Sequence, residues 1–319
     1  MEYNEIIKKI EEYNKIIIMR HKNPDLDAYG SQNGLYEILK LNYPEKEIYM
    51  VGDENNLNFF RKPDVLTKED YADALLFILD VSVTNMIDEE FYKYAKEIII
   101  IDHHKNETTI ENSKTLRLFY SSCAEIIAEF ALKSELKLNK ESAIALYAGI
   151  VSDSGRFFYS GINSNTFKMA SFLLEQDIDI QSLYNKMYIE PLNLKRLKAY
   201  FILNFKLTKN SVAYMINKKE LSLEYNVSTF TVSRGMVNQM AGIEGVRIWV
   251  NFTENPTDDN ILVEIRSNNI VVVDIAKKYG GGGHDFACGC QAKDLDIVEK
   301  ILNDLDERAG EYKWYKKKY

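Results

Sequence analysis

Cysteine is scarce in this chain: Cys123, Cys288 and Cys290 are the only three in 319 residues. They are too few and too unevenly spaced for a disulfide framework, and Cys288-Gly289-Cys290 lacks the two-residue gap of a zinc knuckle or redox pair, which predicts reduced thiols. Basic charge is also in short supply. Lysine and arginine total 40 against 48 acids, a formal charge of −8. That argues against sequence-independent binding along a long duplex, which needs a broad basic surface. A short anion held by a few local cations stays compatible with it. No run approaches the roughly 20 apolar residues that span a bilayer. The acidic start Met1-Glu2-Tyr3-Asn4-Glu5 lacks the basic-then-apolar layout of a secretion signal. A cytoplasmic protein with no membrane partner is therefore expected. What the chain does have is 46% hydrophobic residues, enough to bury a core and to form two domains.

Apolar runs of strand length alternate with Lys/Glu-rich, helix-like stretches: residues 16–19, 48–51, 74–79 and 97–101. The alternation predicts an α/β fold with an N-terminal doubly wound, mainly parallel sheet. A helix is expected through about Glu141 to Gly149, leading to a Gly- and Ser-containing loop that carries Asp153. From Asp177 to Phe205 the pattern is again helical. Beyond it, SVAYMIN, VRIWVNFTE and ILVEIRS read as strands of a smaller C-terminal α+β domain, closed by a helix near Leu295–Arg308 and a basic, solvated tail, KWYKKKY. The expected division is residues 1–185, a helical connection over 186–206, and residues 207–319, with a cleft between the two domains.

Three of the N-terminal runs lead into residue types that commonly ligate metals. Ile16–Met19 is followed by His21, Asp25 and Asp27; ALLFILD ends on Asp80; EIIIIDHH ends on Asp102, His103 and His104. In open α/β sheets ligands bind beyond the carboxyl ends of the strands, so these clusters should converge on one crevice. A lone His or Asp at a strand end is more often structural than a ligand. The joint pattern is what counts: all four histidines of the chain fall in three motifs, the last being His284 after four glycines. His21, Asp25, Asp27, Asp80, His103 and Asp153 form a mixed oxygen and imidazole set without thiolate, which suits Mn²⁺, Mg²⁺, Fe²⁺ or Co²⁺ better than structural zinc. Six ligands are too many for one ion that must keep an open position, so two ions sharing a carboxylate is the economical reading. The four carboxylates roughly neutralise two divalent ions, so other residues must help to capture an anionic substrate.

Candidates for that capture are the start of a helix near Gly30-Ser31, whose backbone N–H groups could meet a phosphate, and the run Gly280–Gly283 before His284. The glycines read either as a flexible linker or as a close backbone approach to a ligand. Arg266-Ser267, at the end of ILVEIRS, reads either as a surface ion pair or as a phosphate clamp.

In order and spacing, HKNPDLDAYGSQ, ILD, IDHHKNE, AGIVSDSGRF and YGGGGHDFACG resemble the DHH phosphoesterase family joined to its DHH-associated C-terminal domain, over essentially the whole chain. The resemblance is greatest to the stand-alone nanoRNase type. It implies hydrolysis of short oligoribonucleotides, with 3′-phosphoadenosine 5′-phosphate (pAp) as a second substrate, by an enzyme that holds two divalent ions, Mn²⁺ first and Mg²⁺ or Co²⁺ as alternatives. It further implies that His21 and Asp25 hold one ion and Asp27, His103 and Asp153 the other, with Asp80 bridging. His104 would act at the substrate phosphate, Asp102 would orient the histidine pair, and Asn106 would complete the motif. Arg266, Ser267, Gly281, Gly282, Gly283 and His284 would bind substrate.

The partners expected on this resemblance are short single-stranded RNA or small nucleotides, with homodimerisation left open. Asp285, Cys288 and Cys290 depart from the family's pattern after the glycines and put substrate preference in question. A soluble cyclic-di-AMP or pApA phosphodiesterase would use the same centre, and a non-catalytic nucleotide-binding module is the reading from another class.

Overall fold

The computed structural model describes residues 1–53, 60–81, 83–87, 90–105, 107–159 and 161–312. By density of contacts the chain divides into two units, Met1–Ile189 and Glu190–Tyr319.

In the first unit, α1 (Tyr3–Glu12) precedes β1 (Lys15–Met19), α2 (Leu26–Asn42), β2 (Glu47–Val51), β3 (Leu75–Leu79), β4 (Glu97–Asp102) and β5 (Ser113–Arg117). Then come α3 (Cys123–Lys133), α4 (Lys140–Asp153), α5 (Ser164–Leu174) and α6 (Ile180–Tyr188). The strands form one sheet in the order β2-β1-β3-β4-β5, and every pairing is parallel. Its central strands read as unbroken apolar runs because both faces are covered. Ile16, Ile18, Phe77, Ile99 and Ile101 pack against the helices. Ile17, Met19, Leu76, Ile78 and Ile100 face a second cluster built with Tyr71, Ile87 and Tyr92 from short turns. Each such side chain contributes roughly 2 kcal/mol by leaving water. The strand order reverses between β1 and β3, the place where a doubly wound sheet opens a crevice at its carboxyl ends.

α2 and α4 pack at backbone contact. A Cβ on Gly30 would stand 2.4 Å from the Ala145 carbonyl oxygen of α4, and one on Gly149 would stand 2.9 Å from Asp27 Oδ1 of α2. This corrects the reading of Gly30-Ser31 as a helix start. The helix begins at Leu26, because the Asp25 carboxylate accepts hydrogen bonds from the N–H groups of Asp27 and Ala28 and so caps it. Gly30 and Ser31 are buried within it.

The second unit begins with α7 (Leu192–Asn204), which buries Leu197 and Phe201 in that unit's own core. It continues through β6 (Lys206–Leu207), β7 (Ala213–Asn217), α8 (Glu220–Glu224), β8 (Ile248–Asn255) and β9 (Asn260–Ser267). The remaining elements are α9 (Val273–Lys278), β10 (Gly282–His284), β11 (Ala287–Ala292) and α10 (Leu295–Glu311). The sheet runs β10-β11-β9-β8-β7-β6 and is mixed, with β7 and β8 parallel. Cys288 and Cys290 point from β11 into its core, where burial pushes both thiols up to about 11. The cysteines are free. Among the described residues no helix is long and apolar enough to cross a membrane. The tail KWYKKKY lies outside the described residues.

Candidate metal centre

Three strand ends bring the acids and histidines together. His21 and Asp25 follow β1, Asp80 follows β3, and Asp102, His103 and His104 close β4. Asp27 comes from the first turn of α2. Asp153 is the last residue of α4, not a loop residue as expected, because the Ser154 N–H still bonds the Ile150 carbonyl and carries the helix on. Three groups have ligand atoms close enough together to hold a cation: His21, Asp25 and Asp80; Asp27, His103 and Asp153; and Asp80, His103 and His104.

The two histidines whose Nε2 atoms face Asp80 are oriented alike. His21 Nδ1 lies 2.6 Å from the Lys22 carbonyl oxygen, and His103 Nδ1 lies 3.2 Å from that of Tyr120. A carbonyl only accepts, so each Nδ1 carries a hydrogen and Nε2 is left to face the carboxylates. His21 Nε2 is 3.5 Å from Asp80 Oδ2 and 3.9 Å from Asp25 Oδ1. His103 Nε2 is 3.3 Å from Asp80 Oδ1, 3.4 Å from Asp153 Oδ2 and 4.0 Å from Asp27 Oδ2. Asp80 therefore stands between the two histidines. It is 3% exposed, its Oδ1 accepts no hydrogen bond, and its φ of 60° is one that a non-glycine residue rarely adopts.

Packed together, these groups shift one another. Burial, with Asp80 and Asp153 nearby, holds the Asp27 carboxyl well above its ordinary range, although both its oxygens accept N–H groups at the start of α3, from Cys123 at 2.7 Å and Ala124 at 2.9 Å. Burial also pushes Asp153 up to about 6. Burial alone would raise Asp80 too, but its contacts with His103 and His21 outweigh that and hold it low. The histidines answer in kind. Against the pull of burial, Asp80 and the Lys22 carbonyl push His21 up to about 9, and Asp80 and Asp27 push His103 up to about 10. Such mutual dependence marks a site that lacks positive charge. Two imidazole Nε2 atoms, four carboxylates and a buried oxygen without a hydrogen bond fit divalent cations.

Beside this cluster, Asp102 is fully buried. Its Oδ1 accepts from the His104 backbone N–H at 3.3 Å and from the His104 ring Nδ1 at 2.7 Å, which raises that imidazole's pKa. Register pairs Asp102 with Arg117 on β5, whose Nη2 lies 3.7 Å from Asp102 Oδ2. Sequence reading missed Arg117 because nothing in the motif spacing points to it; only the β4–β5 register does. Asn106 lies outside the described residues.

Two family models match the chain, the N-terminal domain of the DHH family over residues 15–150 and the DHHA1 domain over residues 219–311. The chain is 36% identical over 312 residues to the bifunctional oligoribonuclease and PAP phosphatase NrnA of Bacillus subtilis, covering 97% of this chain and 99% of that one. The chain belongs to the DHH family. A probable NrnA of Streptococcus mutans is 35% identical over 95% of this chain and 97% of its own length. The crystal structure of an exopolyphosphatase-related protein from Bacteroides fragilis shares the fold, with a TM-score of 0.80 over 97% of each chain at 23% identity.

In the DHHA1 part of this DHH chain, Arg266, the glycines Gly281, Gly282 and Gly283, and His284 line one cavity of about 1010 Å³. Ser267 is not among its lining residues, and its hydroxyl bonds the Ile270 carbonyl. The glycine run is no linker: Gly282 and Gly283 lie in β10. A Cβ on Gly281 would meet the Gly289 carbonyl oxygen at 2.1 Å, and one on Gly283 would meet that of Ala287 at 2.7 Å. The close approach is thus to strand β11, while Gly282 has open space beside it. Arg266 is ion-paired with Glu264 at 3.0 Å and also donates to the Cys288 carbonyl. His284 and Asp285 are exposed.

Proposed function

We propose that this chain is a divalent-metal-dependent phosphoesterase of the cytoplasm that hydrolyses short oligoribonucleotides to nucleoside monophosphates and converts pAp to AMP and phosphate. The observation that carries the reading is the gathering of His21, Asp25, Asp27, Asp80, His103 and Asp153 at one end of a parallel sheet. Likeness over nearly the whole length to proteins named for those two activities supports it.

His21, Asp25 and Asp80 would hold one ion and Asp27, His103 and Asp153 the other, with Asp80 reaching both. Mn²⁺ is the ion we propose, ahead of Mg²⁺ and Co²⁺. Such ions, when bound, supply Lewis acidity toward a phosphoryl oxygen and water acidic enough to attack phosphorus. The chain's own residues do the rest. The Lys22 and Tyr120 carbonyls fix the ring orientation of His21 and His103. Asp102 holds His104 by Nδ1 and raises its pKa, which favours the imidazolium, the form in which Nε2 also carries a proton to offer a phosphoryl oxygen as charge gathers there. In the second unit Arg266, Gly282 and His284 would bind substrate, with Arg266 exchanging Glu264 for phosphate.

The test is a turnover assay with Mn²⁺, offering a dinucleotide, a five-nucleotide RNA, pAp, cyclic di-AMP and pyrophosphate to the wild type and to His284→Ala. Rapid cleavage of the linear RNAs or pAp, weakened in the variant, is the expected result. Preference for the cyclic substrate would replace the proposal with the dinucleotide phosphodiesterase, and no turnover of any substrate would overturn hydrolysis altogether.

A further inference from the structure

One wall of the cavity in the second unit comes from outside the glycine run and its neighbours. It is the five-residue π-helical turn Thr231–Gly235 together with Phe230, which precedes it. A π turn is rare and recurs at functional sites. Here it has a dedicated support. The Asn251 side-chain amide, fully buried, donates to the carbonyls of Val232 and Ser233, both at 2.7 Å. Asn251 Oδ1 in turn accepts from Asn217 Nδ2 at 2.7 Å, and Asn217 also donates to the Phe252 carbonyl and to Thr253 Oγ1. Two amides buried in the sheet thus fasten one irregular turn.

What the turn displays is a flat ring and a cation. Phe230 is 63% exposed. The exposed Arg234 guanidinium lies 5.9 Å from the ring centroid. Among the described residues no carboxylate pairs with Arg234, whereas Arg266 in the same cavity is answered by Glu264. An accessible aromatic face and an available cation are the two means by which proteins hold single-stranded nucleotides without reading their sequence.

We infer that Phe230 stacks a base, and Arg234 holds the adjoining phosphate, of a short single-stranded nucleotide. This gives the second unit a sequence-tolerant binding wall separate from the glycine run. The inference deepens the phosphoesterase reading and rests on it for the class of substrate.

The test uses the full-length protein in two formats. In EDTA, a five-nucleotide RNA carrying 2-aminopurine at one position is titrated with protein; with Mn²⁺, turnover of the same oligomer is measured. Wild type quenches the 2-aminopurine fluorescence as the base stacks. Phe230→Leu removes the quench and weakens binding about tenfold, and Phe230→Trp restores both. Arg234→Gln weakens binding by a similar factor and lowers the salt dependence by about one ion. KM rises in step while kcat holds. Absence of a quench in the wild type, or binding and KM unchanged in folded Phe230→Leu and Arg234→Gln, overturns the inference even where hydrolysis is confirmed. A quench lost in Phe230→Leu, in a protein that cleaves none of the oligomers, upholds the binding wall and overturns the hydrolase reading instead.

Discussion

Asp80 Oδ1 and His103 Nε2 lie 3.3 Å apart, and that buried oxygen accepts no hydrogen bond. On its other side Asp80 reaches His21, so one carboxylate joins the two groups of ligands. Asp80→Ala is expected to lower kcat by about a thousandfold or more while the far-ultraviolet circular dichroism is kept. Equilibrium dialysis should show fewer Mn²⁺ ions retained per chain. Full retention of both ions would place the bridge elsewhere.

Proton release should accompany metal binding. His21 and His103, pushed up to about 9 and about 10, bind protons more tightly in the fold than their ordinary value of 6.5 allows. In the metal-free protein their contribution to stability is therefore full below about pH 6.5 and lost as pH climbs through 9 to 10. A cation needs neutral rings and an ionised Asp27, whose carboxyl burial also holds protonated to higher pH. At about pH 7.5 protons therefore leave both rings and this carboxyl as Mn²⁺ enters, and affinity rises with pH across that window. Calorimetry in two buffers of different ionisation enthalpy counts those protons; a count near zero would contradict the assignment of both rings.

Asp102→Asn separates orientation from ligation. The carboxylate touches His104, with its oxygen 2.7 Å from Nδ1, and raises that ring's pKa. We expect Mn²⁺ retention close to wild type, kcat lower by about 10- to 100-fold, and the basic limb of the kcat profile moved to lower pH. A variant that loses its metal would make Asp102 part of the coordination itself.

Gly30→Ala tests the helix pair behind the site. In a helix alanine is ordinarily favoured over glycine by about 1 kcal/mol. At this position the new Cβ would stand 2.4 Å from a backbone oxygen, which cannot swing aside as a side chain would. Separating α2 from α4 should cost about 2 kcal/mol, read as a lower urea midpoint with unchanged slope.

Much of the site was legible because its chemistry is concentrated in short motifs after apolar runs. Ile16–Met19, Leu75–Leu79 and Ile98–Ile101 are buried on both faces, and runs of that kind announce parallel strands before any pairing is known. β5 was missed: SKTLR is an edge strand with one buried residue, and nothing in it alternates strongly enough to show. Gly30 was misread because a glycine within a helix carries no sign of what packs on it, whereas Asp25, the true cap, had been assigned to the metal alone. The turn at Thr231–Gly235 was invisible for a related reason, since its support comes from Asn217 and Asn251, distant in sequence.

The apolar strands of the first sheet also bear on how the chain folds. IIIM, LLFIL and EIIII are short, rich in β-formers and nearly uncharged, the composition of segments that zip into fibrils when exposed. Residues 16, 75 and 97–98 become near neighbours only through long loop closures, so each strand waits for its partners. During that wait the charges at their ends, Lys15 and Arg20, Asp80, and Asp102, interrupt the apolar runs as gatekeepers. Asp80, a candidate metal ligand, thus also ends an apolar run, the position from which a charge opposes aggregation of a chain whose sheet is not yet assembled.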